Sequence, residues 1–360
     1  MIAIMHDIND ATISRYDRSG MVGMVLATPD QMREGWKRAA EISLRPPSQN
    51  GSLVICGMGG SAIGAELARD LAGAENRFPI HVERGYQLPR FADSNTTVIC
   101  ISYSGNTEEV IALFREARSR DCGLGVITSG GILERESAES GVGMVKVRGG
   151  LPPRAAIGYL LTPLLKFLSE WGAIRLDQQD FSSLVETTES ALENLAPAFI
   201  NNPAMKISEK LFGRIPLIYS GGSLLRGAAY RWKCQFNENS KVMAFSNIFP
   251  ELGHNEIMGW DCPEEIREKM SVIMLNDRDD HPRVKKRMAI TASMLEDNGV
   301  EVIKIESGSW FPEGAATRAQ RLLSAVILGD MASVYLALRR GIDPAPIDRI
   351  DLVKDKLRME

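Results

Sequence analysis

Thr96-Thr-Val-Ile-Cys-Ile-Ser102-Tyr-Ser-Gly-Asn-Thr107-Glu-Glu-Val110 decides how the rest of the chain is read. An apolar run ends in hydroxyl residues and a glycine, and a segment with helical spacing follows at once. The order is strand, tight turn, helix. It occurs upstream too, where Gly51-Ser-Leu-Val-Ile-Cys-Gly57 leads through Met-Gly-Gly into a helix over Ser61–Ala72 with Ile63, Leu67 and Leu71 on one face. It returns at Gly123–Thr128 followed by Ile132–Ser140. Strands alternating with helices predict a parallel sheet covered by helices.

Outward from this core, residues 1–45 read as a helical lead-in. Asn9 or Asp10 caps one segment, and Thr28-Pro29 opens another with proline in its first turn. Leu151-Pro-Pro-Arg-Ala interrupts the alternation, an apolar helix is expected over Ala155–Trp171, and a polar one over Asp177–Leu195. The alternation then restarts with a strand at Ile215–Ser220, a Gly221-Gly-Ser223 turn and a helix over Leu225–Gln235. Later strands are expected at Lys241–Phe245, Ser271–Leu275 and Val300–Ile305, with helices at Arg283–Asn298 and Ala316–Arg339. Val54-Ile-Cys-Gly-Met-Gly-Gly-Ser61 and Leu217-Ile-Tyr-Ser-Gly-Gly-Ser223 are matching junctions, so the chain reads as two copies of one α/β unit. The expected division is a lead-in over 1–45, a first unit over 46–190, a second over 191–345 and a closing segment over 346–360.

A chain of 360 residues with 44% hydrophobic composition can bury two ordinary cores. A net charge of -4 offers no basic stripe for a nucleic-acid backbone, so no nucleic-acid partner is expected. Five cysteines without CxxC spacing point to a reducing cytoplasm rather than a disulfide framework. The first residues lack the basic and apolar runs of a signal peptide, and no long uninterrupted apolar stretch predicts a membrane span.

The turn at Ser102–Thr107 has the makings of a phosphate cradle. A helix N-terminus presents unpaired N–H groups and the positive end of the dipole. Ser102, Ser104 and Thr107 add hydroxyls there, and Gly105 and Asn106 are expected to add backbone N–H groups. The plain alternative is that Ser104 or Thr107 only caps the helix. Gly57-Met-Gly-Gly-Ser61 lacks the full dinucleotide-binding order, and neither loop has a Walker lysine, so no cofactor is expected. Gly60 and Ser61 instead suit close approach of a sugar chain.

Moving a proton between adjacent sugar carbons needs a carboxylate base, a cation for the developing oxyanion and an acid-base group for ring opening. Glu238 sits among amides in Phe236-Asn-Glu-Asn-Ser-Lys241, Arg154 follows two prolines, and His254 lies in Pro250-Glu-Leu-Gly-His254. Each has an ordinary role open to it: Glu238 pairing with Lys241, Arg154 with a surface acid, His254 with backbone. His6, His81 and His281 carry no partner pattern. The sequence has no HxH or HExxH, which argues against a metal.

Taken together, Gly57-Met-Gly-Gly-Ser-Ala-Ile-Gly64, Ser102–Thr107, Pro153-Arg-Ala-Ala-Ile-Gly158, Arg231–Lys241 and Pro250–Trp260 run in an order that resembles the bifunctional phosphoglucose/phosphomannose isomerases, built from two sugar isomerase (SIS) domains. The resemblance implies a metal-independent aldose-ketose isomerase acting on a hexose 6-phosphate. It implies Glu238 as the base for C1–C2 transfer, Arg154 as the cation for the enediolate, and Lys354, or Lys356 in a shifted register, as a ring-opening aid. It further implies a homodimer with His254 donated across the interface. Ser102, Ser104 and Thr107 would hold the phosphate and Gly60 and Ser61 line the sugar. One departure concerns a threonine expected before the closing lysine to admit the mannose epimer: Ala345-Pro-Ile-Asp348 holds no hydroxyl. A non-catalytic sugar-phosphate sensor and an aminosugar synthase are the rival readings.

Overall fold

The computed structural model describes residues 5–73, 76–311 and 317–357. The lead-in forms α1 (Asp10–Tyr16), α2 (Met21–Leu26) and α3 (Thr28–Ala39), with the Asn9 side chain accepting from the Thr12 N–H at the start of α1. The first unit runs β1 (Leu53–Gly57), α4 (Gly59–Ala72), β2 (Ile80–Glu83), β3 (Thr97–Ser102), α5 (Glu108–Ser119), β4 (Gly123–Thr128), α6 (Gly131–Glu139) and β5 (Gly143–Lys146). A single 3-10 turn, Pro153–Ala155, precedes α7 (Ile157–Glu170), α8 (Gln178–Glu193) and α9 (Pro203–Lys210). The second unit runs β6 (Ile215–Gly221), α10 (Arg226–Glu238), β7 (Phe245–Phe249), two 3-10 segments at Glu251–His254 and Glu256–Asp261, α11 (Glu264–Arg267), β8 (Met270–Asn276), α12 (Pro282–Asp297) and β9 (Glu301–Glu306). The chain closes with α13 (Arg318–Arg339) and α14 (Asp348–Leu357).

All sheet pairings are parallel, in the orders β2-β1-β3-β4-β5 and β7-β6-β8-β9. The period-two alternation of strand side chains separates two cores per sheet. Val54, Cys56, Val98 and Cys100 point to an outer cluster with Phe114 of α5, while Leu53, Ile55, Ile99 and Ile101 point inward. In the second sheet Leu217, Tyr219, Val272 and Met274 face outward with Met288 of α12, and Ile218, Ile273 and Leu275 face inward. Both inward faces join one cluster through α4, α7, α10 and α13. A shared helical centre thus lies between two parallel sheets.

α13 is 22 residues long and apolar enough to cross a membrane by length and hydropathy, but its apolar window is wholly buried in this centre, as a core helix would be. Its Asp330 receives both Nε and Nη2 of Arg231 on α10 at 2.7 Å each, a buried bidentate pair that ties the two helices together. The lead-in is equally integral. Thr162 Oγ1 donates to Met32 O at 3.2 Å, Gly158 N to Gln31 Oε1 at 3.2 Å and Gln31 Nε2 to Ala155 O at 2.9 Å, so α3 is bolted along α7.

Three expectations shift. The strand expected at Lys241–Phe245 is found at Phe245–Phe249, because the left-handed backbone of Lys241 (φ 53°) breaks the extended run there. The helix expected from Ser61 already begins at Gly59. The expected start at Ala316 lies outside the described residues, and the described helix begins at Arg318 under a Thr317–Gln320 capping box.

Candidate active site

In parallel sheets of this kind, crevices open beyond the C-terminal strand ends where the strand order reverses. In the first sheet that place lies between β1 and β3, at Gly57–Ser61 and Ser102–Thr107. Thr107 is the N-cap of α5 but makes no capping bond with its side chain, so the first-turn N–H groups of α5 are left without that partner. Its hydroxyl pairs instead with Ser102 Oγ at 2.8 Å.

Ser102 is fully buried, and its Oγ also accepts from Gly105 N at 3.1 Å. The Gly105 N–H, expected to face a ligand, is therefore committed inside the turn. Asn106 N–H lies 3.3 Å from Ser104 Oγ. Ser104 is exposed and is the hydroxyl best placed to meet a ligand. Gly105 is required here: its φ is 68°, and a β-carbon would overlap the Gly130 carbonyl oxygen, against which the turn is braced. Ile132 N adds a bond to Asn106 Oδ1 at 3.1 Å.

Ser61 and Gly60 link this turn to Arg154. Ser61 Oγ accepts from Tyr103 N at 3.3 Å, and a β-carbon at Gly60 would lie 3.0 Å from the Pro153 carbonyl carbon and 3.1 Å from Arg154 N. Only a glycine lets the start of α4 rest directly on the Pro153–Arg154 peptide.

Arg154 is 3% exposed. Its Nη1 lies 3.5 Å from Glu238 Oε2, its Nε donates to Asn239 Oδ1 at 2.6 Å, and its Nη2 donates to the Pro344 and Ala345 carbonyls at 2.9 and 2.7 Å. Its own carbonyl accepts from Arg231 Nη2 at 2.7 Å. Burial pulls the guanidinium pKa down, and Glu238 opposes the shift, so the carboxylate is its charge partner. Glu238 closes the last turn of α10 and keeps about a quarter of its side chain exposed (25%), which leaves the carboxylate accessible beside a buried cation.

The structure thus brings Arg154, Glu238, Gly60, Ser61 and the Ser102–Thr107 turn into one connected region. Within a single chain it does not bring in Lys354 or His254. α14 buries none of its residues, and the Lys354 ammonium lies 3.8 Å from Asp351 on that same exposed helix, which also carries Lys356. His254 is exposed after β7, and its imidazole makes no hydrogen bond among the described residues. His281 and His81 have partners the sequence did not reveal: His281 Nδ1 caps α12 by accepting from Arg283 N, and His81 Nε2 lies 3.2 Å from Glu83 Oε2. Among the described residues no group of three or more His, Cys, Asp or Glu is arranged to hold a metal ion.

Sequence reasoning missed Asn239 and the Pro344–Ala345 carbonyls, and it offered Lys241 only as an ion-pair partner of Glu238, whereas the ammonium donates to the Glu238 backbone carbonyl at 2.6 Å. Asn239 and Lys241 stand in the same short motif as Glu238, so their spacing was a usable signal. The carbonyls had no signal, since any residue supplies one.

With this geometry in place, the relatives of the chain become informative. A protein from Caldicellulosiruptor bescii named bifunctional phosphoglucose/phosphomannose isomerase is 35% identical over 342 residues, covering 94% of this chain and 98% of its own. The chain belongs to the bifunctional phosphoglucose/phosphomannose isomerase family. A second member, from Aquifex aeolicus, is 38% identical over 85% of this chain and 90% of its own. Residues 200–357 match the family model described as the bacterial phospho-glucose isomerase C-terminal SIS domain. The C-terminal domain of glucosamine-fructose-6-phosphate aminotransferase from Francisella tularensis shares the fold, with a TM-score of 0.71 over 91% of this chain and 98% of its own at 16% identity. Membership makes the chain an isomerase, and the two parallel-sheet units are SIS-type units.

Proposed function

We propose that the chain interconverts glucose 6-phosphate with fructose 6-phosphate through an enediolate, without a metal, and that it also takes mannose 6-phosphate, which the names of the relatives support although residues 345–348 lack the hydroxyl expected to admit that epimer. The observation that carries this reading is the accessible Glu238 carboxylate 3.5 Å from the buried Arg154 guanidinium. In the open-chain aldose, Glu238 takes the C2 proton. The C–H electron pair becomes the C1–C2 double bond, and the carbonyl pair moves onto O1, where positive charge from Arg154 stabilises it. Transfer of the hydroxyl proton from O2 to O1 and return of the carbon-bound proton to C1 give the ketose. The guanidinium supplies the charge for which other isomerases use a metal ion. The family names of the relatives support the substrate class.

Ser104, Thr107 and the N-terminus of α5 hold the phosphate in this reading, Ser102 shapes the turn beneath it, and Gly60 and Ser61 line the sugar. His254, donated from a second copy in a homodimer, and Lys354 or Lys356 assist ring opening. Exposed Phe245 opens edge strand β7, exposed Met243 precedes it and exposed Met258 follows His254 by four residues, and these support a surface for that second copy. Five free cysteines support a cytoplasmic setting.

The test is a coupled assay with fructose 6-phosphate before and after exhaustive treatment with a chelator, repeated in D2O. Isomerisation that survives the chelator and places solvent deuterium on C2 of the aldose supports the reading. No turnover, or turnover restored only by added metal, overturns it. Mixing separately inactive Glu238→Gln and His254→Ala proteins should regain activity after subunit exchange, because each mixed dimer then contains one complete site. No recovery from subunit-exchanged dimers would place His254 in its own chain's site.

A further inference from the structure

Beyond the pair that carries the proposed reaction, Lys241 occupies an unusual position. It is a lysine in the left-handed region, at φ 53°, where glycine is the unstrained choice. Although the residue as a whole is exposed, its ammonium turns inward onto three carbonyls: Glu238 at 2.6 Å, Pro344 at 2.9 Å and Asn239 at 3.4 Å. The first and third close α10, where the helix dipole favours a cation. Pro344 belongs to the segment leading into α14 and also receives Arg154.

The backbone around Lys241 has supports of its own. Asn239 Nδ2 donates to Ser333 Oγ at 2.9 Å, Ser240 Oγ to Ser333 O at 2.6 Å, and Arg340 Nη1 to the Lys241 carbonyl at 3.0 Å. The ammonium is therefore not needed to make the turn. What it adds is a bond between the base-bearing end of α10 and the segment that enters α14.

We propose that Lys241 is a positioning residue for the isomerisation, fixing the Glu238 end of α10 against the Pro344 segment so that Glu238 and Arg154 keep their alignment. The inference rests on the proposed function, since alignment matters only if the pair does chemistry. Charged groups facing Lys241 are Arg154 from the 3-10 turn, Glu238 from α10, Asp343 from the segment after α13, Asp348 from the start of α14, and Arg340 at the end of α13. Loss of hydration and the nearby Arg154 lower the ammonium pKa from 10.5 to about 8, with the three carboxylates opposing.

This separates function from folding by sign. Above pH 8 the ammonium loses its charge, the dipole and carbonyl contacts weaken, and kcat falls. Over the same range the folded state binds fewer protons here than the unfolded chain, so this group's contribution to stability rises between pH 8 and 10.5. An alkaline loss of activity from Lys241 is therefore not an unfolding event.

The experiment measures kcat, KM and their pH profiles, with thermal midpoints, for Lys241→Arg and Lys241→Gly beside wild type and Glu238→Gln. Glycine fits the left-handed backbone and removes the amine, so it should fold and lose about 10²-fold in kcat with KM little changed. Arginine keeps its charge and should retain most of kcat while moving the alkaline limb upward by more than one pH unit. Wild-type kcat in a folded Lys241→Gly, or an alkaline limb unmoved in Lys241→Arg, overturns the positioning role. If wild type itself does not isomerise fructose 6-phosphate, the functional reading fails instead. An active wild type and inactive Glu238→Gln beside an unaffected Lys241→Gly would sink the positioning role alone.

Discussion

At the ends of β1 and β3, α5 begins without a side-chain cap and Ser104 faces solvent; at the corresponding ends of β6 and β8, the same crevice is filled by the protein's own carboxylates. Asp280 sits so close beneath Gly221 that a β-carbon there would overlap its carboxylate. It accepts from Ser223 Oγ at 2.7 Å and from Asp277 N at 3.1 Å, and burial pushes its pKa up. Asp277 in turn receives Arg321 Nε at 2.8 Å. Burial pushes Asp277 upward too, but the Arg321 and Ser307 hydrogen bonds outweigh it and hold the carboxyl below its usual range. The helix that follows, α12, begins with a proline and is capped by His281. One crevice leaves donors for an outside anion and the other supplies an anion from within. Repeating a fold repeats its topology, while the chemistry depends on the few residues set at the strand ends.

The contrast is broken most directly through Glu238, which lies on a helix of the second unit but is linked to the first unit's crevice through Arg154. Glu238→Gln should lower kcat about 10³-fold with KM little changed, measured by the coupled fructose 6-phosphate assay. A loss smaller than tenfold would remove the base from the site. Asp280→Ala tests the other side. It strands the Ser223 hydroxyl and the Asp277 N–H, so unfolding in denaturant should show about 1–3 kcal/mol less stability, with kcat and KM unchanged. A raised KM would mean that the second crevice contributes to substrate binding.

Ser104→Ala should raise KM for the sugar phosphate about tenfold, through one lost bond to a charged group, and leave kcat nearly intact. An unchanged KM would show that the exposed hydroxyl does not meet the phosphate. The smallest effect is expected from His281→Ala, which uncaps α12. It should cost about 1 kcal/mol in the same denaturant measurement, without a kinetic change.

The strand-glycine-helix alternation was legible because the central strands are continuous apolar runs, as in Val54-Ile-Cys and Val98-Ile-Cys-Ile. β2 and β5 escaped notice because each is four residues long at a sheet edge and only partly buried, so neither shows such a run. β7 was displaced in the reading because Phe245-Ser-Asn-Ile-Phe249 carries polar residues in mid-strand, while Val242 and Met243 looked more strand-like than the turn they occupy. In the site, Arg154 and Glu238 were readable as residue types in strong local contexts. That Arg154 would spend three of its donor contacts on Asn239, Pro344 and Ala345 was not, because that depends on a chain crossing far away in sequence.

The bolting of α3 along α7 has a consequence for how the chain is made. Met32 and Trp36 of α3 are buried in the finished protein, but α7, which lies along α3, ends only at Glu170, and α8, whose Phe181 stacks on Trp36, ends later still, whereas α3 is complete at Ala39. At synthesis rates of about 5–20 residues per second, that interval is on the order of ten seconds. For that time the nascent chain carries an apolar stripe whose main helical partners are not yet complete. The stripe therefore outlasts the synthesis of the first sheet, whose last strand is complete at Lys146.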